Sequence, residues 1–170
     1  LIENELVPGL QISPHTVLNA NFDFGKNEIK VNSSIDELIY QGIIFKENIL
    51  DISTVDKKIK SDFDCRRLIL KDSTETDKTV FGIDDLAVRT VTWKDSLQFG
   101  VYWENEDTLR QNSAIIEGLS AKSNQVTSLH FATSEIIIND TLWTIGDENL
   151  LVFDSTGINF HNITIHGGNS

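Results

Sequence analysis

Two residue types are nearly missing from this 170-residue sequence, and each shortage narrows what it can be. Cys65 is the only cysteine, so no intrachain disulfide can form and a secreted disulfide scaffold is excluded. Pro8 and Pro14 are the only prolines. Beyond them nothing removes a backbone N–H, and the body of the chain is free to form continuous sheet. Positive charge is also short: 14 Lys and Arg stand against 26 Asp and Glu, a net charge of −12. No nucleic-acid partner is expected, because backbone binding requires clustered cations that release counterions. The two basic clusters, Lys57-Lys58-Ile59-Lys60 and Arg66-Arg67, fall within strand-like segments and read as solvated strand faces.

Long apolar runs and targeting segments are absent too: no stretch is long enough to cross a bilayer as a helix, and no secretory signal is present. The chain opens on Leu1 and stops at Gly167-Gly168-Asn169-Ser170, as a segment of a longer protein would. Catalytic signatures are missing as well. No nucleophile elbow surrounds Ser120, which lies within a strand-like run, and the glycines are too scattered for a phosphate loop. His15, His130, His161 and His166 lack metal-ligand spacing, and His161 and His166, five apart, fall on opposite faces of a strand unless a bulge intervenes. Asp84-Asp85 and Glu104 with Glu106 are turn and loop carboxylates by position. The expectation is no enzyme, no catalytic residues, no metal and no cofactor.

What the sequence does contain is alternation. Leu18, Ala20, Phe22 and Phe24 share one parity against Asn19, Asn21 and Asp23; Gly25-Lys26-Asn27 turns the chain, and Ile29 and Val31 return. Leu97, Phe99, Val101 and Trp103 alternate with Gln98, Gly100, Tyr102 and Glu104 in the clearest period-two run. Ser34–Tyr40 reads as strand, with a one-turn helix as the alternative because Ser34 and Glu37 have capping-box spacing. In Ile59–Leu70 the apolar parity changes between Cys65 and Leu68, which implies a bulge near Arg66. Phe81–Trp93 reads as a strand pair of mixed parity. Lys71–Lys78 and Glu104–Asn112 read as loops, with Lys57-Lys58 and Lys122-Ser123-Asn124 as turns.

The last thirty-five residues repeat one design. Ile136–Ile138 runs into Asn139-Asp140, Leu142–Ile145 into Gly146-Asp147-Glu148-Asn149, and Leu150–Phe153 into Asp154-Ser155-Thr156-Gly157, after which Ile158 begins a further strand. Each run is too short for a helix and is bounded by residues that tolerate turn dihedrals. Gly42-Ile43-Ile44-Phe45 followed by Asn48-Ile49 is echoed by Gly157-Ile158-Asn159-Phe160 followed by Asn162-Ile163, with Gly82-Ile83 as a third candidate. Such echoes favour a stack of related hairpins. The predicted fold is all-β, a mainly antiparallel meander over residues 16–170 forming an elongated open trough, with residues 1–15 a lead-in or edge strand. A closed β-sandwich for adhesion or glycan binding is the alternative, with Trp93, Trp103 and Trp143 as stacking candidates. Three glycosylation sequons, at Asn32, Asn139 and Asn162, matter only in a pathway that uses them.

The succession Val88–Trp93, Ala114–Ala121, Leu129-His130-Phe131, Ser134–Asp140, Trp143-Thr144-Ile145, Asn149–Phe153 and Gly157–Gly168 resembles the translocation and assembly module family, the AsmA-like TamB proteins, in their Bacteroidetes form. Asn32–Leu70 is similar in pattern. The resemblance implies a long periplasmic protein anchored in the inner membrane, with an outer-membrane partner of the BamA or TamA type. Its β-taco trough would carry phospholipid or assist outer-membrane protein assembly. Phospholipid acyl chains are then the implied ligand, and the segment is expected to be monomeric. The apolar lining carries over to Ile136, Ile138, Trp143, Ile145, Leu151, Phe153, Ile158, Phe160, Ile163 and Ile165, and the alternation on Leu97, Phe99, Val101 and Trp103 adds a second stretch. Two features depart from a simple lining: both faces are apolar at Leu150–Phe153, and the parity breaks at His161-Asn162.

Overall fold

The computed structural model describes residues 8–71, 79–105 and 111–169. Among these, 77% lie in strands and none in a helix, and the strands form one open antiparallel sheet of 14 members that does not close into a barrel. In chain order they are β1 (Leu10–Ile12), β2 (Val17–Asp23), β3 (Glu28–Tyr40), β4 (Ile43–Val55), β5 (Lys58–Lys71), β6 (Thr79–Trp93) and β7 (Ser96–Glu104). There follow β8 (Ser113–Ser123), β9 (Val126–Phe131), β10 (Ser134–Ile138), β11 (Thr141–Ile145), β12 (Leu150–Asp154), β13 (Gly157–His161) and β14 (Ile165–Asn169). The open trough class is what forms, and the closed sandwich is not.

Tight reversals connect the long strands. Gln41-Gly42, Asp56-Lys57 and Asn139-Asp140 each place both turn residues at positive φ, the geometry whose twist matches flanking antiparallel strands. Two expected turns shift: the chain reverses at Asp56-Lys57 instead of Lys57-Lys58, and at residues 124–125 instead of Lys122-Ser123-Asn124. Ser34–Tyr40 is strand, continuous with Ile29 and Val31 in β3, and Phe81–Trp93 belongs to the single strand β6. Much of the Lys71–Lys78 loop and part of the Glu104–Asn112 loop lie outside the described residues.

Four rungs of the sheet are built from two strands laid end to end. β1 and β2 both pair with β3, and β9 and β10 both pair with β8. β12 continues from β9 while β11 continues from β10, and β13 and β14 follow on those two in turn. Fourteen strands with four shared rungs make ten rungs (14 − 4 = 10). Residues 146–149, expected as a reversal, therefore do not reverse the chain: β11 and β12 run in the same direction on either side of them.

Four of the whole strands, β3 to β6, are interrupted at the same level, while β7 and β8 run unbroken. Along β3, β4, β5 and β6 the ladder passes over Asp36, Glu47, Arg66 and Asp85, with pairing resuming at Glu37, Lys46, Arg67 and Asp84. Glu47 and Asp85 sit at φ 52° and 48°, a left-handed conformation that cannot continue the pleat, so the strand turns a corner there. The parity change near Arg66 is real, although the ladder is interrupted on both strands without a slip in register. With the break at residues 13–16 these interruptions crease the first five rungs, and the breaks at 132–133, 146–149 and 162–164 crease the last three, on the other side of the unbroken β7 and β8.

The first of these creases closes on one side. Phe45 lies opposite Leu68, five residues along β5 from Phe63, a span of about 16 Å in a flat strand. Yet the rings of Phe45 and Phe63 meet edge to face at 6.5 Å. The two halves of the sheet fold toward each other on this face. The described hydrophobic residues that are buried are only Ile44, Cys65, Leu86 and Ala114. The accessible surface of 11989 Å² compares with about 8,400 Å² for a compact protein of this mass. An open sheet without a sealed core contributes to the excess.

Candidate functional site: a folded apolar face

Directly opposed residues of an antiparallel pair project to the same face, so the pairing register sorts every side chain. On the concave face one line runs Leu18, Ser33, Leu50, Phe63, Val88, Val101 and Ile116 across seven successive rungs. The next line toward the lower end runs Ala20, Val31, Ile52, Ser61, Thr90, Phe99, Gly118 and Phe131. Neither carries a charge. The alternate line on the convex face is Asn19, Asn32, Asp51, Asp62, Arg89, Gly100 and Glu117.

Several charges on that convex face are paired with one another. Arg89 contacts Asp62 at 3.6 Å and also bonds Asp64, Asn32 donates to Asp51, and the Tyr102 hydroxyl donates to Glu117 at 2.6 Å. That hydrogen bond, with some burial and the nearby negative charge, pushes the Tyr102 phenol above its ordinary value. Above the crease, Lys46 and Arg67 lie near Glu37 and Asp84 at 3.9 and 3.4 Å. All of these are exposed or half-buried pairs, which contribute little stability individually; they mark the solvated side.

The residues predicted to line a trough fall mostly together. Leu97, Phe99, Val101 and Trp103 share the concave face of β7. From Trp103 the line continues through Ala114, Ile136 and Trp143 to Gly167, and by alternation Ile138, Ile145 and Ile165 join it. Leu151, Phe153, Ile158 and Phe160 reach the same face through Leu129 and Ser120. Ile163 does not lie on a strand; it sits in the break of the last rung, where Asn162 has φ 50°. Missing from the prediction is the first half of the chain, whose Leu50, Ile52, Phe63 and Val88 line the same face.

Glycine lets aromatic rings lie down in this lining. Phe99 covers Gly118, where an added Cβ would fall 2.6 Å from the ring, and meets Phe131 edge-on at 6.1 Å. Trp143 likewise covers Gly167. These rings fill the space above a bare backbone and keep the face continuous.

The creases are held by small polar side chains. Asn48 donates from Nδ2 to the carbonyls of Ile35 and Phe45 at 3.1 and 3.0 Å. Asn149 donates to the carbonyls of Phe131 and Gly146 and accepts from the Phe131 N–H at 2.9 Å. Ser134 accepts from Glu117 N and donates to the Ala132 carbonyl. Each satisfies backbone groups that the broken ladder leaves without strand partners. Asn48, Ser134 and Asn149 are at most 2% exposed. Cys65, opposite Asn48, points its thiol at the Lys46 carbonyl at 3.6 Å, and burial raises its pKa above the ordinary thiol value. A sequence signal for this device existed: Glu47-Asn48-Ile49-Leu50 recurs as Glu148-Asn149-Leu150-Leu151. Of the Gly-Ile echoes, Gly42 and Gly157 both precede or begin a strand at positive φ, whereas Gly82 lies inside β6.

Other candidates disperse. Trp93 sits on the convex face beneath Lys58, 5.0 Å from its ring, while Trp103 and Trp143 are concave, so the three form no single platform. The broken rung brings His161 and His166 onto the same convex face, correcting the expectation for an unbroken strand. Even so, no cluster among the described residues has a metal-binding composition of His, Cys, Asp and Glu. Ser120 lies in β8 between Leu97 and Leu129. An open cleft of about 510 Å³ on the convex crease is lined by Asp36, Glu47, Arg66 and Asp85, with Arg66 paired to Glu47 at 3.1 Å. Compared with protein-family models, curated proteins and solved structures, the chain matches none.

Proposed function

We propose that this chain is a non-catalytic segment of a bacterial envelope protein of the translocation and assembly module kind. Its concave face would hold phospholipid acyl chains in transit between the inner and outer membranes, or serve outer-membrane protein assembly. One observation carries the reading: a largely apolar face, charged only at Lys122 near its rim among the paired positions, crosses the rungs of an open sheet without being sealed, and its central Leu50, Phe63 and Val101 are only half-buried. A sealed core would bury those side chains. An acyl chain laid along them gains about 0.8 kcal/mol for each CH₂ it buries.

The lack of polar anchors in the lining suits a conduit, because a cargo held by several directional bonds would not be passed on. Charges and hydrogen-bond pairs sit on the opposite face, where they keep the sheet in water. In this reading the chain works in the periplasm, within a parent anchored in the inner membrane, and an outer-membrane BamA-type partner would be met by that parent. The test is a fluorescence titration with a phospholipid bearing a conjugated polyene acyl chain. Saturable enhancement that Phe63→Asp abolishes, while the variant retains its strand circular dichroism, supports the proposal. Enhancement unchanged by Phe63→Asp, or no enhancement by the parent, rejects it.

A further inference from the structure

The concave face changes character toward the lower rim of β6 to β9. Val88, Val101 and Ile116 form one line, and Phe99 and Phe131 flank Gly118 in the next. Below them come Thr92, Leu97, Ser120 and Leu129, and below those Lys122 lies opposite Thr127. Hydrocarbon thus gives way to hydroxyl and then to ammonium over about 20 Å of strand.

The two lowest lines border an open cleft of about 280 Å³, whose polar lining includes Thr92, Lys94, Asp95, Ser120, Lys122 and Thr127. Lys94 and Asp95 make the reversal between β6 and β7, with Lys94 at φ 50°. The Lys122 N–H donates to the Asp95 carbonyl at 2.8 Å, which ties this reversal to β8. Both lysines are exposed, and neither makes an ion pair among the described residues. The hydroxyls of Thr92, Ser120 and Thr127 make no hydrogen bond within the same set. Two ammonium groups against the one carboxylate of Asp95 leave the cleft positive in a chain of net charge −12.

We propose that this cleft binds the phosphate of an anionic phospholipid whose acyl chains run upward over Leu97, Phe99 and Val101. The inference rests on the acyl-chain reading of the concave face, and it adds a headgroup contact and an orientation. Lysine is a compact point charge on a flexible stem, so Lys94 and Lys122 reach phosphate oxygens without imposing a fixed geometry. Thr92, Ser120 and Thr127 place O–H donors between the ammonium groups and the apolar lines, where phosphate and ester oxygens would lie. Exposed ammonium groups are screened by water and salt, so the rim orients the lipid without trapping it.

Fluorescence titration with phosphatidylglycerol and with diacylglycerol, both carrying the conjugated polyene chain, tests the site. The parent should bind phosphatidylglycerol about fivefold more tightly, the modest gain expected of exposed ion pairs. Lys94→Gln combined with Lys122→Gln should remove that preference and leave diacylglycerol binding unchanged. Lys30→Gln combined with Lys60→Gln takes the same charge from the convex face, on either side of Ser53, and should keep it. Millimolar inorganic phosphate at constant ionic strength should also leave the preference in place; its erasure would assign the cleft to the free ion and overturn the lipid site. Equal binding of the two lipids by the parent overturns the headgroup site and leaves the acyl-chain reading standing. So does a preference that survives the Lys94 and Lys122 changes, or one that falls as far with Lys30 and Lys60. Binding of neither lipid rejects both.

Discussion

Phe45 and Phe63 stand on opposite sides of a break in the β-ladder, and their rings meet edge to face at 6.5 Å. The contact ties the upper half of the sheet to the lower half on the concave face. Edge-to-face pairs contribute about 0.5–1.5 kcal/mol beyond the area they bury. In a double-mutant cycle of Phe45→Leu and Phe63→Leu followed by urea unfolding, we expect a coupling energy in that range. Strictly additive losses would mean that the halves are not braced against each other here.

Asn48 and Asn149 perform the same task, one in each crease, with different completeness. Asn149 makes three hydrogen bonds to backbone groups, whereas Asn48 makes two and its buried Oδ1 has no partner. Leaving a buried backbone group unsatisfied costs about 1–3 kcal/mol. Asn149→Ala should therefore destabilise more than Asn48→Ala, and both more than Asn19→Ala on exposed β2. Equal midpoints for all three variants in urea would remove the crease from the account of stability.

Tyr102 offers a pH test. Its raised pKa comes first from donating a hydrogen bond to Glu117, so the folded state favours the protonated phenol. This stability is fully present below the unfolded tyrosine value and is lost as pH rises through the folded one. In a Tyr40→Phe background, which leaves Tyr102 as the only tyrosine of the two in the sequence, absorbance titration should report tyrosinate formation above the ordinary range. Glu117→Gln should bring it down. A titration that does not respond to Glu117→Gln would show that the hydrogen bond is not the cause.

Much of this architecture is legible in period-two alternation, because a one-sided apolar face imposes parity on each strand. Leu97–Trp103 is the clearest case, and its partners across β6 and β8 carry the same face. What alternation alone does not show is the crease. A four-residue polar stretch such as residues 146–149 has the composition of a reversal, yet Asn149 bonds to the neighbouring rung and the chain continues in the same direction. The choice between turn and corner depends on partners distant in sequence. For the same reason the lining of the trough reads from sequence only in the second half, while Leu50, Phe63 and Val88 join it once β4, β5 and β6 are in register.

On the proposed function the concave face, and not the convex one, meets acyl chains. The most direct test places a photoreactive phenylalanine analogue at Phe99 on the concave face and, separately, at Gln98 on the convex face. Each protein is irradiated with vesicles of phosphatidylethanolamine and phosphatidylglycerol, and the adducts are read by mass spectrometry. Phospholipid adducts should form from position 99 at least tenfold above position 98, with both proteins melting at the parent temperature. Equal labelling at the two positions, or labelling confined to position 98, would contradict it.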